Sequence, residues 1–119
     1  MPKRMDRRLA LVLVALACAF APGCDEERPA ILVQDTTISV ENQSGEAWSA
    51  VEVWLNDHYR VTARALEAEG RLVVPLDAFV AGFGQRFDRR RQTPFGIEVT
   101  ARTASGQEVR LVWGKGRRR

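Results

Sequence analysis

Trp48-Ser49-Ala50-Val51-Glu52-Val53-Trp54-Leu55-Asn56, followed closely by Tyr59-Arg60-Val61-Thr62-Ala63-Arg64-Ala65, decides the fold. In the first stretch Val51, Val53 and Leu55 alternate with Glu52, Trp54 and Asn56. A period of two stands one set of side chains on each face of a pleated strand. The second stretch puts Tyr59, Val61, Ala63 and Ala65 on one face and Arg60, Thr62 and Arg64 on the other. Asn56-Asp57 between them tolerates the backbone of a tight turn. The two stretches read as a β-hairpin with one apolar face.

The same rhythm extends in both directions. Upstream, Thr37 to Glu41 alternates, and Ala30 to Val33 reads as part of the same first strand. Asn42-Gln43-Ser44-Gly45 is a turn signal. Downstream, Ala65 to Glu69 supports one helical turn ended by Gly70. Arg71 to Leu76 is a further strand, in which Pro75 marks an edge or an end because proline donates nothing to a ladder. Asp77 is placed to cap a short turn of helix. Gly82 to Pro94 reads as a long loop whose Phe79, Phe83 and Phe87 pin it over one end of the core. Its Gly-Phe-Gly lacks the Gly-Lys-Ser/Thr ending of a phosphate loop. Gly96 to Thr103 turns Ile97, Val99 and Ala101 inward and Glu98, Thr100 and Arg102 outward. Glu108 to Trp113 closes a second hairpin across Ala104-Ser105-Gly106-Gln107.

Six or seven short strands with no long amphipathic helix predict an all-β chain, a small antiparallel β-sandwich over residues 31–114; a small open barrel is the alternative. In strand rhythm, over about Ile31 to Trp113, the chain resembles immunoglobulin and fibronectin type III domains. It lacks the cysteine pair that joins the two sheets in antibody domains.

Residues 1–23 have a different composition. Lys3, Arg4, Arg7 and Arg8 precede Leu9 to Ala21, which carries no charge, and Asp25, Glu26 and Glu27 follow abruptly. This is the layout of an export signal. The apolar run is thirteen residues, whereas a helix crossing a bilayer takes roughly 17–25. Ala21-Pro22-Gly23-Cys24 resembles the lipobox of bacterial lipoproteins, with alanine in place of the usual leucine and an unusual proline. The resemblance implies a diacylglycerol on the Cys24 thiol, cleavage just before it, and residues 24–30 as a tether. Cys18 is a rival position, and an ordinary secretory signal is the alternative. With each buried methylene contributing about 0.8 kcal/mol, two or three acyl chains hold a protein at a membrane.

Removing the leader changes the charge. The chain carries a formal +3, but from Cys24 onward it has fourteen basic and fourteen acidic residues. A neutral domain lacks the positive field that nucleic-acid binding requires. Local positive charge remains at Arg89-Arg90-Arg91 and in the tail, residues 115–119. These clusters either meet anionic head groups or are a solvated loop and tail.

Catalytic groups are scarce. His58 is the single histidine, and Cys18 and Cys24 are the only cysteines. That leaves no disulfide within the domain, no Cys/His zinc set and no thiol nucleophile. Glu67 and Glu69 sit too close in sequence to flank a substrate cleft, and no loop alternates acids as a calcium site does. The expectation is a non-enzyme without cofactor or metal. Its candidate binding residues are Trp54, with its indole on the face opposite the core, Tyr59 beside it, and Arg89, Arg90 and Arg91. The expected role is a lipid-anchored binding or structural module of the bacterial cell envelope, held at the membrane through its anchor and meeting an envelope protein or a glycan. The alternatives are a secreted carbohydrate-binding module using Trp54, Tyr59 and the Gly82 to Pro94 loop, and a small enzyme built around His58.

Overall fold

The computed structural model describes residues 28–115. The leader, Cys24, most of the tether and the last four residues of the tail lie outside them. Seven strands form two antiparallel sheets: β1 (Ile31–Val33), β2 (Thr37–Glu41), β3 (Trp48–Leu55), β4 (Tyr59–Leu66), β5 (Arg71–Pro75), β6 (Gly96–Thr103) and β7 (Glu108–Gly114). The smaller sheet has the order β1-β2-β5 and the larger β4-β3-β6-β7. The protein is a small β-sandwich of three strands against four. Ile38 and Val40 from one sheet, and Val51, Val53, Leu55, Ile97 and Val99 from the other, are fully buried between them. The alternation read from the sequence thus supplies the core.

The turn between β3 and β4 follows from its residues. Asn56 and Asp57 take φ of 52° and 67°, left-handed values that these two side chains tolerate better than most. Ala50 also has a positive φ, 51°. It sits at a β-bulge, where the register of β3 against β6 slips between Ser49 and Glu52. The extra residue resets the alternation, so Trp48 and Val51 are both buried while Ser49 and Ala50 are exposed.

Several local expectations are corrected. Ala30 to Val33 does not join the strand that follows. Ile31–Val33 is a separate edge strand that folds back on β2, with Gln34 N donating to Thr37 O at 2.9 Å. Ala65 and Leu66 complete β4 instead of starting a helical turn, and Leu66, not Ala65, is buried. The tight turn after them closes through Gly70 N to Glu67 O at 2.8 Å. Asp77 lies inside a 3₁₀ turn, Leu76–Ala78, that follows Pro75, and it makes no capping bond. Phe79 and Phe87 are buried as expected, but Phe83 is 98% exposed. Ala81 N donates to Gln85 O and Gly84 N to Ala81 O, closing a small hairpin with Phe83 at its tip. That turn breaks the spacing of four that would have stacked the three rings. Pro75 does end an edge strand, β5.

The sandwich has two distinct ends. One gathers Arg28 to Ala30, the β2–β3 loop, the β4–β5 turn and the β6–β7 turn. The other gathers the β1–β2 turn, the β3–β4 turn, the long segment from Leu76 to Phe95, and the end of β7. At this second end Leu76, Phe79 and Phe87 are all no more than 1% exposed and plug the core.

Candidate functional site

The tether root is fixed by a polar clamp. Glu41, at the end of β2, forms ion pairs with Arg28 at 3.4 Å and Arg71 at 3.1 Å. Gln43 Nε2 donates to Arg28 O and to Glu41 Oε1, both at 2.9 Å. The Gln43 and Arg71 hydrogen bonds hold the Glu41 carboxyl below its ordinary range. Next to it, fully buried Asn42 ties three carbonyls together. Its Nδ2 donates to the oxygens of Glu46, Leu66 and Glu67, and its Oδ1 accepts from Ser44 N and Oγ.

Trp54 lies on the outer face of the larger sheet, as its position in β3 dictates, and is half-buried. Its cross-strand partners are Arg60 and Glu98. The Arg60 guanidinium carbon stands 5.2 Å from the ring centroid, a cation–π arrangement. The indole Nε1 donates to Glu52 Oε1 at 3.0 Å. Trp54 is therefore engaged by its neighbours on one face and at its polar edge. Glu98 is on that outer face, as its alternation in β6 predicts, but is only 1% exposed. Its register neighbours Trp54 and Val112 flank it, and Arg110 pairs with its carboxylate.

Tyr59 is not beside Trp54 on the surface. It is 7% exposed, on the core face, and meets Phe87 edge-on with centroids 5.3 Å apart. Adjacent hairpin positions point to opposite faces, and Tyr59 pairs with core residue Leu55. The expectation that Tyr59 contributes to a binding surface is corrected on this ground. Asn56 is likewise buried, and holds the far-end loop: Nδ2 donates to Thr93 O at 3.0 Å, while Oδ1 accepts from Phe95 N at 2.7 Å and Gly96 N at 3.2 Å. His58 is exposed in the turn that follows.

Arg89, Arg90 and Arg91 are exposed in a turn at the end opposite the tether root. Asp88 organises two of them. Its carboxylate pairs with Arg90 at 3.5 Å and with Arg91 at 3.9 Å, and Oδ1 accepts from Arg90 N at 3.0 Å. The Arg90 backbone hydrogen bond, helped by both guanidinium charges, holds the Asp88 carboxyl below its ordinary range. Arg89 makes no ion pair with any described residue. It borders two clefts. One, of about 490 Å³, is lined by Asp77, Arg86, Phe87 and residues 88–90. The other, of about 500 Å³, has Leu76, Pro94 and Trp113, the amides of Gln34 and Gln92, and one charge of each sign, Asp35 and Arg89, in its lining. Trp113 is partly buried and packs against the core from near the end of β7. Its membership in this cleft comes from sitting near the end of a sheet-edge strand where the long segment crosses, a proximity that strand periodicity does not encode.

Cys24 lies outside the described residues. Among those described, no cluster of three or more His, Cys, Asp or Glu stands ready for a metal ion, and no helix is long and apolar enough to cross a membrane. Comparison with protein-family models, with curated proteins and with solved structures gave no match.

Proposed function

We propose that this chain is a lipid-anchored cell-envelope protein whose β-sandwich head serves as a non-catalytic binding or structural module. The observation that carries the reading is the lipobox-like Ala21 to Cys24, after a basic and then apolar leader. The head supports it in one respect. The chain emerges from the proposed anchor through a short acidic tether, and Glu41 and Gln43 clamp the tether's root at one end of the sandwich. Six residues from Cys24 to Pro29 reach at most about 20 Å when extended, and an eight-residue strand adds about 27 Å. An upright head would therefore hold its free end, with Arg89 and both clefts, away from the bilayer. In that posture Arg89, Arg90 and Arg91 face a partner and not the lipid beneath. The strand orders β1-β2-β5 and β4-β3-β6-β7 also favour the immunoglobulin and fibronectin type III likeness for the head.

The anchor is tested by metabolic labelling with palmitate, fractionation and mass spectrometry of the mature amino terminus. The expected result is acyl label and membrane fractionation, both lost in Cys24→Ser. An unmodified terminus at another residue, or fractionation indifferent to Cys24→Ser, breaks the reading.

A further inference from the structure

We infer that the free edge of β7 takes up an extended segment of a partner protein as one more strand of the larger sheet. The inference deepens the proposed role of the head as a binding module. It rests on that reading only where it prefers a partner's strand to a second copy of this chain.

The two sheets end in four edge strands, β1, β5, β4 and β7, and three of them are blunted. β1 is only three residues long. β5 has five residues and ends at Pro75. β4 is covered at its start, where Arg60 and Val80 exchange backbone hydrogen bonds at 2.9 and 3.3 Å, and its next inward side chain after Val61 is the small Ala63. β7 has seven residues, no proline and an unbroken register with β6, and no described residue pairs with its other side. β1 lies near it in the facing sheet, but no ladder joins the two.

The ladder shows what this edge offers. Thr103 N donates to Gln107 O, and Lys115 N to Phe95 O, at the two ends of the β6–β7 pair. Bonding alternates along an antiparallel pair. Val109, Leu111 and Trp113 therefore bond to β6, and the N–H and C=O groups of Glu108, Arg110 and Val112 point away from it. A row of unpaired backbone donors and acceptors is matched by another strand. The side chains agree. Val109, Leu111 and Trp113 pack against the core yet are only partly buried, and the facing sheet is one strand short of the four it covers. A strand with apolar residues at alternate positions would extend that row. Charge does not close the edge, because Arg110 is drawn back over the sheet by Glu98. Glu108 has no ion pair among the described residues, which favours a basic residue opposite it.

Two copies joined through this edge, with their core faces on one side, run antiparallel, which inverts one head against the other. Heads rising from one membrane share a direction, so the occupant is a partner's strand.

NMR on the detergent-solubilised mature protein tests this with three short synthetic peptides. The first alternates valine with threonine and lysine. The second has the same composition with its valines in one block. The third is the first peptide methylated at the threonine and lysine backbone nitrogens, which would donate to β7. The first peptide should bind saturably and slow solvent exchange of the Glu108, Arg110 and Val112 amides. It should bind at least about tenfold tighter than the other two, as the loss of a few backbone hydrogen bonds allows. Val112→Pro removes an N–H that β6 does not use and should weaken binding by a similar factor, whereas Thr62→Pro on the β4 edge should leave it intact. Should Val112→Pro fail to fold, the methylated peptide puts the same question to the native chain. The inference is overturned if the first peptide does not bind, if all three bind alike, if the protected amides lie elsewhere, or if folded Val112→Pro binds as the wild type does. Protection of the β7 amides by self-association, without peptide, would assign the edge to a second copy and overturn it too. Palmitate label lost with peptide binding intact would break the anchor alone; peptide binding lost with the label intact would break the edge alone.

Discussion

The two ends of the sandwich are closed in different ways. At the tether end the closure is polar: Asn42 is fully buried and holds three loop carbonyls, and Glu41 clamps Arg28 and Arg71. At the far end it is aromatic: Phe79, Phe87 and Tyr59 plug the core beneath a long segment, with Asn56 as its one buried polar tie. The polar knot occupies the Asn42 amide at both its nitrogen and its oxygen. An aromatic plug needs no polar partners, so the residues above it remain available. Arg89, Gln92 and Trp113 lie above such a plug. Neither end is saturated throughout: Trp48 Nε1, buried at the tether end, has no hydrogen-bond partner among the described residues, and Arg89 at the far end has no ion pair among them.

The comparison breaks first at the plug. Phe87→Ala removes a ring that is 1% exposed and packs edge-on to Tyr59. Loss of a buried phenylalanine costs about 3–5 kcal/mol, a large part of the stability of a small domain. Chemical denaturation should show that loss. If Phe87→Ala unfolds at the wild-type midpoint, the far end is not held by its aromatic core.

The two buried asparagines come next. Asn42→Ala strands three carbonyls and the donors from Ser44, and Asn56→Ala strands the Phe95 and Gly96 amides. Each unsatisfied buried group costs about 1–3 kcal/mol. The larger loss is expected for Asn42, whose side chain carries more bonds. Equal losses, measured in the same denaturation series, would remove the asymmetry between the ends.

This asymmetry was only half legible in the sequence. The strands were, because Val51-Glu52-Val53-Trp54-Leu55 and Ile97-Glu98-Val99 obey a two-residue period that burial enforces locally. Pro75 as a strand end and Asn56-Asp57 as a turn were legible for the same reason: each is decided by its own backbone. What escaped depends on contacts distant in sequence. Asn42 reads as a turn residue, yet its partners at Leu66 and Glu67 lie more than twenty positions away. Tyr59 read as a neighbour of Trp54, but pairing with Leu55 commits it to the core. Glu98 reads as outward-facing and is, but its burial is set by Trp54 and Val112 on adjoining strands. The Arg89 and Trp113 cleft is assembled from β1, β7 and the long segment, and no stretch of sequence carries all three.

The smallest expected effect sharpens the comparison most directly, because each end carries one carboxylate held below its ordinary range: Glu41 at the tether root and Asp88 in the arginine turn. A carboxyl whose pKa is lowered on folding adds stability above its unfolded value, and that contribution fades as pH falls through the folded value. Both groups should therefore hold their partners at neutral pH and release them in acid, below the usual carboxylate range. NMR titration reads the two separately. Protonating Asp88 should move the Arg90 amide, which Asp88 Oδ1 accepts at 3.0 Å, and should leave Arg90 and Arg91 as unpaired as Arg89. Protonating Glu41 should loosen Arg28 and with it the direction of the tether, while the Asn42 knot, which has no titrating group, keeps the loops closed. If acid moves the Asn42 side-chain amide as much as the Arg28 backbone, clamp and knot are one unit, and the tether end is held by charge as much as by neutral hydrogen bonds.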